Sequence, residues 1–423
     1  MSRRTAYSAI AFACVVPRLV VLLHVRNTLL ASNAEKSDLF AQTFVAHGTY
    51  GLIPSEPSAY TQPLYGWVLI PVYWIFGRTW WSVGFLQILL ALVTAWLVYE
   101  LGRRLLGPRA GLIGATIATL NPYLIWHDMH VNREIVDQVV AAALVLLTLM
   151  VAERPSLKLA TLLGAITGLS MLGNTRLIGV PVLCAVYLAF RLPRARATAL
   201  VCGLVIVGAT VVVMPWLVRN DINVGCFAIT TDGRAMWKAN NPRTYGLLSS
   251  GQWIDNIGQH PPRPKPPGYL TPDEAHGIWV RTNGRVKPDP NECLEMTFYE
   301  NLAFTWIRDH PGDKVKLAAL SAKLLWQPNV FETSGRPGAG TNLDLGRRVV
   351  EPVYMWIVYA LAAIGLFVAP RAFVALALLV LAYQTAAALV FVGATRYRVA
   401  WDFLLAILAA AALQWLVKRV RAR

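Results

Sequence analysis

The chain has 423 residues, of which 56% are hydrophobic and only 15% charged. Soluble domains run at about 45–50% apolar and roughly 25% charged, so an ordinary soluble protein is excluded, and so is a disordered chain. Lys and Arg outnumber Asp and Glu by 39 to 23, for a net charge of +16. The excess lies in short runs between apolar segments, as membrane topology requires, and no basic domain exists to bind nucleic acid.

Apolar runs of about 18–22 residues are long enough to cross a bilayer as helices. The first follows Met1-Ser2-Arg3-Arg4 and contains Arg18 and Arg26. It lacks a small-residue cleavage site and reads as an uncleaved span. A polar loop over residues 29–66 comes next. Leu64–Phe76 is too short to span comfortably and is assigned to the interface, where Trp74, Trp80 and Trp81 suit the headgroup level. Spans are predicted over 81–101, 109–126, 135–152, 157–173, 177–190 and 198–218, then over 353–369, 373–393 and 399–417. With the first they make about ten helices. Between them, Arg219 to Glu351 forms a long polar segment. It includes the proline-rich stretch His260–Gly268, which cannot stay helical, and a second interfacial piece, Val315–Trp326. The domains predicted are an N-terminal membrane module (1–218), this small polar domain (219–351) and C-terminal membrane helices (352–423).

Alternate connections carry Arg103, Arg104 and Arg109; Arg154 and Lys158; Arg191, Arg194 and Arg196; Arg371; and Lys418, Arg419, Arg421 and Arg423. With both termini cytoplasmic, all of these fall inside, as the positive-inside bias requires. Residues 29–66 and 219–351 are then extracytoplasmic. Of the five cysteines, none in a C-x-x-C pair, Cys14, Cys184 and Cys202 lie in apolar runs. Cys226 and Cys293 share the polar segment, and whether they pair is left open.

Some charges break the bias. Arg133 with Glu134, Arg176, Arg219, Arg396 and Arg398 stand at external span ends, and Asp38 and Asp128 share that level. Ionisable residues at a membrane boundary mark a site by default, although a long Arg side chain also snorkels to water without further purpose. Guanidinium forks bind phosphate bidentately, so convergent arginines there predict a phosphorylated lipid or lipid-linked donor. Asp38 reads equally as a general base or as an interfacial helix cap. Glu35 and Asp128 are the nearest competitors of Asp38 for the base, and Glu134 is a further acid candidate that suits orienting Arg133 or the start of its span. His127-Asp128-Met129-His130 lacks a second cluster to complete a metal site, so no metal ligand is assigned and a divalent metal is left open as cofactor.

Several motifs recur in order: Asp38-Leu39-Phe40-Ala41-Gln42 with Gly48-Thr49-Tyr50-Gly51; Gln62-Pro63-Leu64-Tyr65; Gly102-Arg103-Arg104-Leu105-Leu106-Gly107; Asn132-Arg133-Glu134; Gly168-Leu169 with Thr175-Arg176; Met214-Pro215-Trp216-Leu217-Val218-Arg219-Asn220; Asn240-Asn241-Pro242; and Arg396-Tyr397-Arg398. Together they resemble the bacterial integral-membrane glycosyltransferases of the C superfamily (GT-C), family 39. That family includes polyprenyl-phosphate-mannose protein mannosyltransferases and lipid A aminoarabinose transferases. The resemblance implies an all-α polytopic GT-C fold with interfacial helices. It also implies sugar transfer from a polyprenyl-phosphate donor to a lipid, glycan or protein acceptor at the outer face of the cell membrane, with inversion. Asp38 matches the family's catalytic acid and Glu134 its recurrent acid; with Asp128 they are the candidate catalytic acids, and Arg176, Arg219, Arg396 and Arg398 are the candidates to hold the donor phosphate. Tyr65, Asn220, Asn240 and Tyr397 contact substrate. The acid pair of the mannosyltransferases and the lysine of the aminoarabinose enzymes are both absent, which leaves the acceptor open.

The chemistry agrees. A polyprenyl phosphate leaves as a stabilised monoester, so the reaction needs cationic groups at the phosphate and a base at the acceptor hydroxyl. The alternative is a transporter or flippase of a phosphorylated lipid. Such folds often carry internal repeats, none of which is visible between the halves, and have little use for about 130 polar residues between two spans.

Overall fold

In a bilayer, backbone N–H and C=O groups must find partners within their own segment, so an apolar chain folds as helices. The computed structural model describes residues 2–32, 35–257, 264–265, 269–328 and 349–422; among these there is no strand, only an isolated bridge between Ile53 and Glu56. The helices are α1 (Arg3–Val25), α2 (Lys36–His47), α3 (Pro63–Phe76), α4 (Trp80–Leu106), α5 (Pro108–Thr119), α6 (Pro122–His127), α7 (Glu134–Glu153), α8 (Leu157–Gly173), α9 (Val180–Arg191) and α10 (Ala195–Val224). The polar segment supplies α11 (Arg234–Ala239), α12 (Thr244–Ser249), α13 (Pro272–Arg281), α14 (Glu292–Asp309) and α15 (Pro311–Trp326). The chain closes with α16 (Glu351–Val368), α17 (Arg371–Val390), α18 (Thr395–Val399) and α19 (Asp402–Arg421). Of the proline-rich stretch His260–Gly268, only Pro264 and Lys265 are among the described residues.

Seven of these helices, α1, α4, α7, α10, α16, α17 and α19, are long and apolar enough to cross a membrane. The protein is a multi-pass membrane protein. The other three expected spans form shorter helices. Residues 109–126 divide into α5 and α6 because Asn121 precedes Pro122, and a residue before proline is disfavoured in the α region. The Asn121 side chain instead accepts from Tyr123 N at 3.0 Å and caps α6. Residues 177–190 begin with a 3₁₀ turn, Thr175–Leu177, capped by Asn174, before α9 starts at Val180. α8 has 17 residues.

Small residues set the tightest packing. A Cβ on Gly164 of α8 would lie 2.7 Å from Val205 O and 3.0 Å from the Gly208 Cα of α10, so the two backbones touch there. Close small-residue contact is how membrane helices associate when lipid offers no hydrophobic contrast. α19 is central, with Phe403 to Ala412 buried without interruption.

Successive passes bring residues 35–66, 127–134, 174–176, the described residues of 225–328 and residues 391–398 to one end of the bundle, and the Arg- and Lys-rich connections to the other. The polar segment is fixed to its end by three devices. α10 stops at Gly225, whose φ of 82° suits a residue without Cβ. Cys226 and Cys293 form a disulfide with Cα atoms 5.8 Å apart, joining the end of α10 to α14. The buried Glu292 carboxylate accepts from Ser58 Oγ, Ala59 N (3.0 Å) and Thr231 Oγ1 (2.8 Å).

Candidate active site

The turn between α6 and α7, residues 128–134, organises the site. Its carbonyls hold neighbours in place: His130 O accepts from Gln87 Nε2, and Val131 O accepts the backbone N–H of Glu35 at 3.0 Å. Arg133 N donates to Glu35 Oε2 at 3.3 Å, and the Arg133 guanidinium donates to Gln62 Oε1. Gln62 also reaches Thr175 Oγ1 at 3.4 Å, next to Arg176. Glu134 opens α7 with one oxygen 3.8 Å from Arg396 Nε and the other 3.9 Å from His127 Nε2. Arg396 donates to the Tyr397 hydroxyl at 2.7 Å and stacks 4.9 Å from the Trp253 ring. Arg176 lies 3.5 Å over the other aromatic, Tyr397, and donates to Val392 O at 2.9 Å.

Three guanidiniums, Arg133, Arg176 and Arg396, thus share one site with two carboxylates, Glu35 and Glu134. Burial, with Arg396 and Arg133 nearby, pushes Arg176 down to about 10, which still leaves it charged at neutral pH. Burial and then the Glu134 carboxylate push Glu35 up to about 7, against the pull of Arg133 and Arg396. A carboxyl in that range takes and releases a proton near neutrality, as a general base must.

Buried polar atoms without partners are rare and costly. Among the described residues, Tyr65 Oη, Arg133 Nε and both Glu134 oxygens are buried with no hydrogen-bond partner. Tyr65 lies within electrostatic reach of Glu35 and Glu134. Orphans of both signs around one cluster are what a polar ligand would satisfy. Among the described residues, no three His, Cys, Asp or Glu gather to hold a metal ion.

Residues 55–218 match the family described as dolichyl-phosphate-mannose-protein mannosyltransferase. A comparison with curated proteins finds no match. Among solved structures, the archaeal oligosaccharyltransferase AglB from Archaeoglobus fulgidus, in complex with an inhibitory peptide and a dolichol-phosphate, aligns over 99% of this chain and 51% of its own, with TM-score 0.53 and 13% identity. The apo form of the Archaeoglobus fulgidus oligosaccharyltransferase aligns with TM-score 0.51 and 13% identity over the same shares. The chain therefore spans about half the length of that enzyme. This is a GT-C fold. ArnT from Cupriavidus metallidurans bound to undecaprenyl phosphate is also similar, at 16% identity and TM-score 0.43 over 95% of this chain and 78% of its own. The mannosyltransferase match and the GT-C fold together point to glycosyl transfer.

On this GT-C scaffold, five of the residues singled out in the sequence meet at the cluster: Tyr65, Glu134, Arg176, Arg396 and Tyr397. The rest are engaged elsewhere. Asp38, three residues along α2 from Glu35, is bound by Arg78 (2.7 Å), Tyr73 Oη (2.6 Å) and Gln42 (3.1 Å). Three side chains engage both Asp38 oxygens, so a substrate hydroxyl would have to displace one of them to deliver its proton there. Asp128 pairs with Arg18 at 2.7 Å and accepts from Gln138 at 2.7 Å. Arg219 and Arg398 do not converge with the other arginines. Arg219 donates to the carbonyls of Ser58 (2.9 Å) and Tyr50 (3.0 Å) and so ties down the first loop. Arg398 pairs with Asp402 (3.0 Å) and caps α15 through Leu325 O and Gln327 O. Asn220 donates to Ala228 O, and Asn240 to Met236 O and Val390 O, all of them backbone links within the fold. The structure adds Gln62 and Trp253, and brings in Arg133 and Glu35, the latter read in the sequence only as a competitor of Asp38. Arg133 carried a signal, as a charge on the unfavoured side; Trp253 carried none.

Proposed function

We propose that this chain transfers a sugar from a polyprenyl-phosphate donor to an acceptor hydroxyl, in one inverting step, on the extracytoplasmic face of the membrane. The observation that carries the reading is the cluster of Arg133, Arg176 and Arg396 with Glu35 and Glu134, surrounded by unsatisfied buried polar atoms. The mannosyltransferase match over residues 55–218 supports a prenyl-phosphate donor, and a dolichol-phosphate is bound in the AglB structure of the same fold.

In the step proposed, the acceptor oxygen attacks the anomeric carbon from the side opposite the phosphate. The bond from that carbon to the phosphate oxygen breaks, and polyprenyl phosphate leaves. Arg133, Arg176 and Arg396 stabilise its growing charge, as preorganised cations do at a transition state. Glu35 takes the acceptor's proton, in the role first read for Asp38. Glu134 and Tyr65, with their open hydrogen-bonding capacity, hold sugar hydroxyls.

Charge and redox chemistry support this sidedness. The Arg-rich connections belong in the cytoplasm with both termini. The end bearing the disulfide, and with it residues 219–351, then faces an oxidising compartment, where disulfides persist. Purified protein incubated with radiolabelled polyprenyl-phosphate sugars and a membrane extract tests the reading. Label should move from the prenyl lipid to an acceptor. Movement of intact labelled lipid across sealed vesicles without cleavage would instead identify a flippase.

A further inference from the structure

One deeply buried charge within a span lies away from the cluster. Arg18 sits on α1 with 1% of its surface exposed, and an arginine inside a span persists only with a function or a partner. Every direction it offers is used: Nε and Nη2 bind Asp128 Oδ2 at 2.9 and 2.7 Å, and Nη1 reaches Thr119 O at 3.0 Å and Cys14 O at 3.2 Å. The second Asp128 oxygen accepts from Gln138 of α7 at 2.7 Å. Four pieces of chain, α1, the end of α5, residue 128 and α7, meet at one ion pair.

Asp128 is the first residue of the irregular turn that presents the reacting groups. The turn has no helical ladder of its own between His127 and Glu134. Its far end holds Glu35 through Val131 O and Arg133 N, and carries the Arg133 guanidinium and the Glu134 carboxylate. Buried ion pairs contribute little net stability compared with apolar packing, but they fix one register where several would pack equally well. We infer that the Arg18–Asp128 pair is a positioning clamp, which locks the 128–134 turn so that Glu35 and Arg133 stand at their working distances. Neither residue touches substrate; both act through the turn. This inference rests on the proposed role of Glu35.

A small cavity of about 20 Å3 lies beside the clamp, lined by Arg18, Thr94, Ala95, Thr119, Gln138 and Phe403 among others. The test uses the full-length protein in lipid, with Arg18→Met/Asp128→Leu, Arg18→Lys and Glu35→Gln compared on one preparation scale. The apolar double variant should fold with unchanged thermal stability. A reacting group misplaced by about 1 Å costs on the order of 10²-fold in rate, so its kcat should fall by about that factor. Donor KM should stay within about threefold, because Arg176 and Arg396 come from other elements. Arg18→Lys keeps the charge but loses the fork to Thr119, and should lower kcat by about tenfold, less than the double variant does. It also reports should the double variant fail to fold. Wild-type kcat in either clamp variant, with Glu35→Gln inactive, overturns the clamp alone. Full turnover by Glu35→Gln overturns both the clamp and the role of Glu35.

Discussion

Replacing Glu35 by Gln separates catalysis from stability in opposite directions. The carboxyl has a folded-state pKa of about 7 against an ordinary value of 4.5. It therefore holds its proton more tightly in the folded than in the unfolded chain. Below pH 4.5 both states are protonated and the group is neutral towards folding. As pH rises from 4.5 to 7 the unfolded chain releases the proton first, and stability falls. Above pH 7 the full penalty applies, roughly 3 kcal/mol at most for about 2.5 pKa units. Gln cannot ionise, so Glu35→Gln should unfold at a higher temperature than wild type at pH 8 and at the same temperature near pH 4. Turnover moves the other way. Loss of a general base lowers kcat about 10²–10⁴-fold. Donor affinity should hold or improve, since three guanidiniums then face one carboxylate. Wild-type kcat should drop tenfold per pH unit below about 7, and this limb should vanish in the variant. The assay is single-turnover transfer from a radiolabelled polyprenyl-phosphate sugar across pH 5–9, beside thermal unfolding in matched detergent. A variant that is both less stable at pH 8 and fully active refutes the reasoning at each point.

Arg176→Ala should raise donor KM by at least about 30-fold, as removal of a buried charge partner typically costs 2–5 kcal/mol, whereas Arg219→Ala should loosen the loop at Tyr50 and Ser58, cost about 1–3 kcal/mol of stability and leave donor KM within about threefold; equal KM effects in a donor titration would refute this division. Asp38→Asn should destabilise the protein by about 2–4 kcal/mol by stranding Arg78, and Asp38→Leu/Arg78→Met should restore both stability and turnover. Failure of that double variant to transfer sugar, though folded, would return the base to Asp38. Cys226→Ser/Cys293→Ser opens a loop with a sequence separation of 67, worth about 4 kcal/mol of chain entropy. Its unfolding temperature should match that of the wild type treated with reductant.

The spans were legible because apolar length and alternating Arg-rich connections report on the same topology twice. Where a predicted span came out short, the cause was local and readable: Asn121 before Pro122, and the Asn174 cap before Val180. The candidate site was half legible. Glu134, Arg176 and Arg396 stood out as charges on the unfavoured side. The choice between Asp38 and Glu35 was not legible, because Arg78, 40 residues on, decides it by binding Asp38. Arg398 did carry a usable sign, since Asp402 lies four residues later, a spacing at which opposite charges pair. Trp253 reaches the site only through tertiary folding of the polar segment, and no local pattern announces that.

The spacing of Arg18 and Asp128 has a consequence for how the protein is made. They are 110 residues apart in sequence. At about 5–20 residues per second of synthesis, α1 waits roughly 5–20 s before its counter-charge leaves the ribosome. During that interval a lone guanidinium must reach the headgroups by snorkelling or stay sheltered in the insertion machinery. Nascent chains that end before residue 128 should accordingly be poorly retained in the bilayer, while chains extended past Gln138 should settle. Membrane integration of the first helix is therefore completed by the seventh.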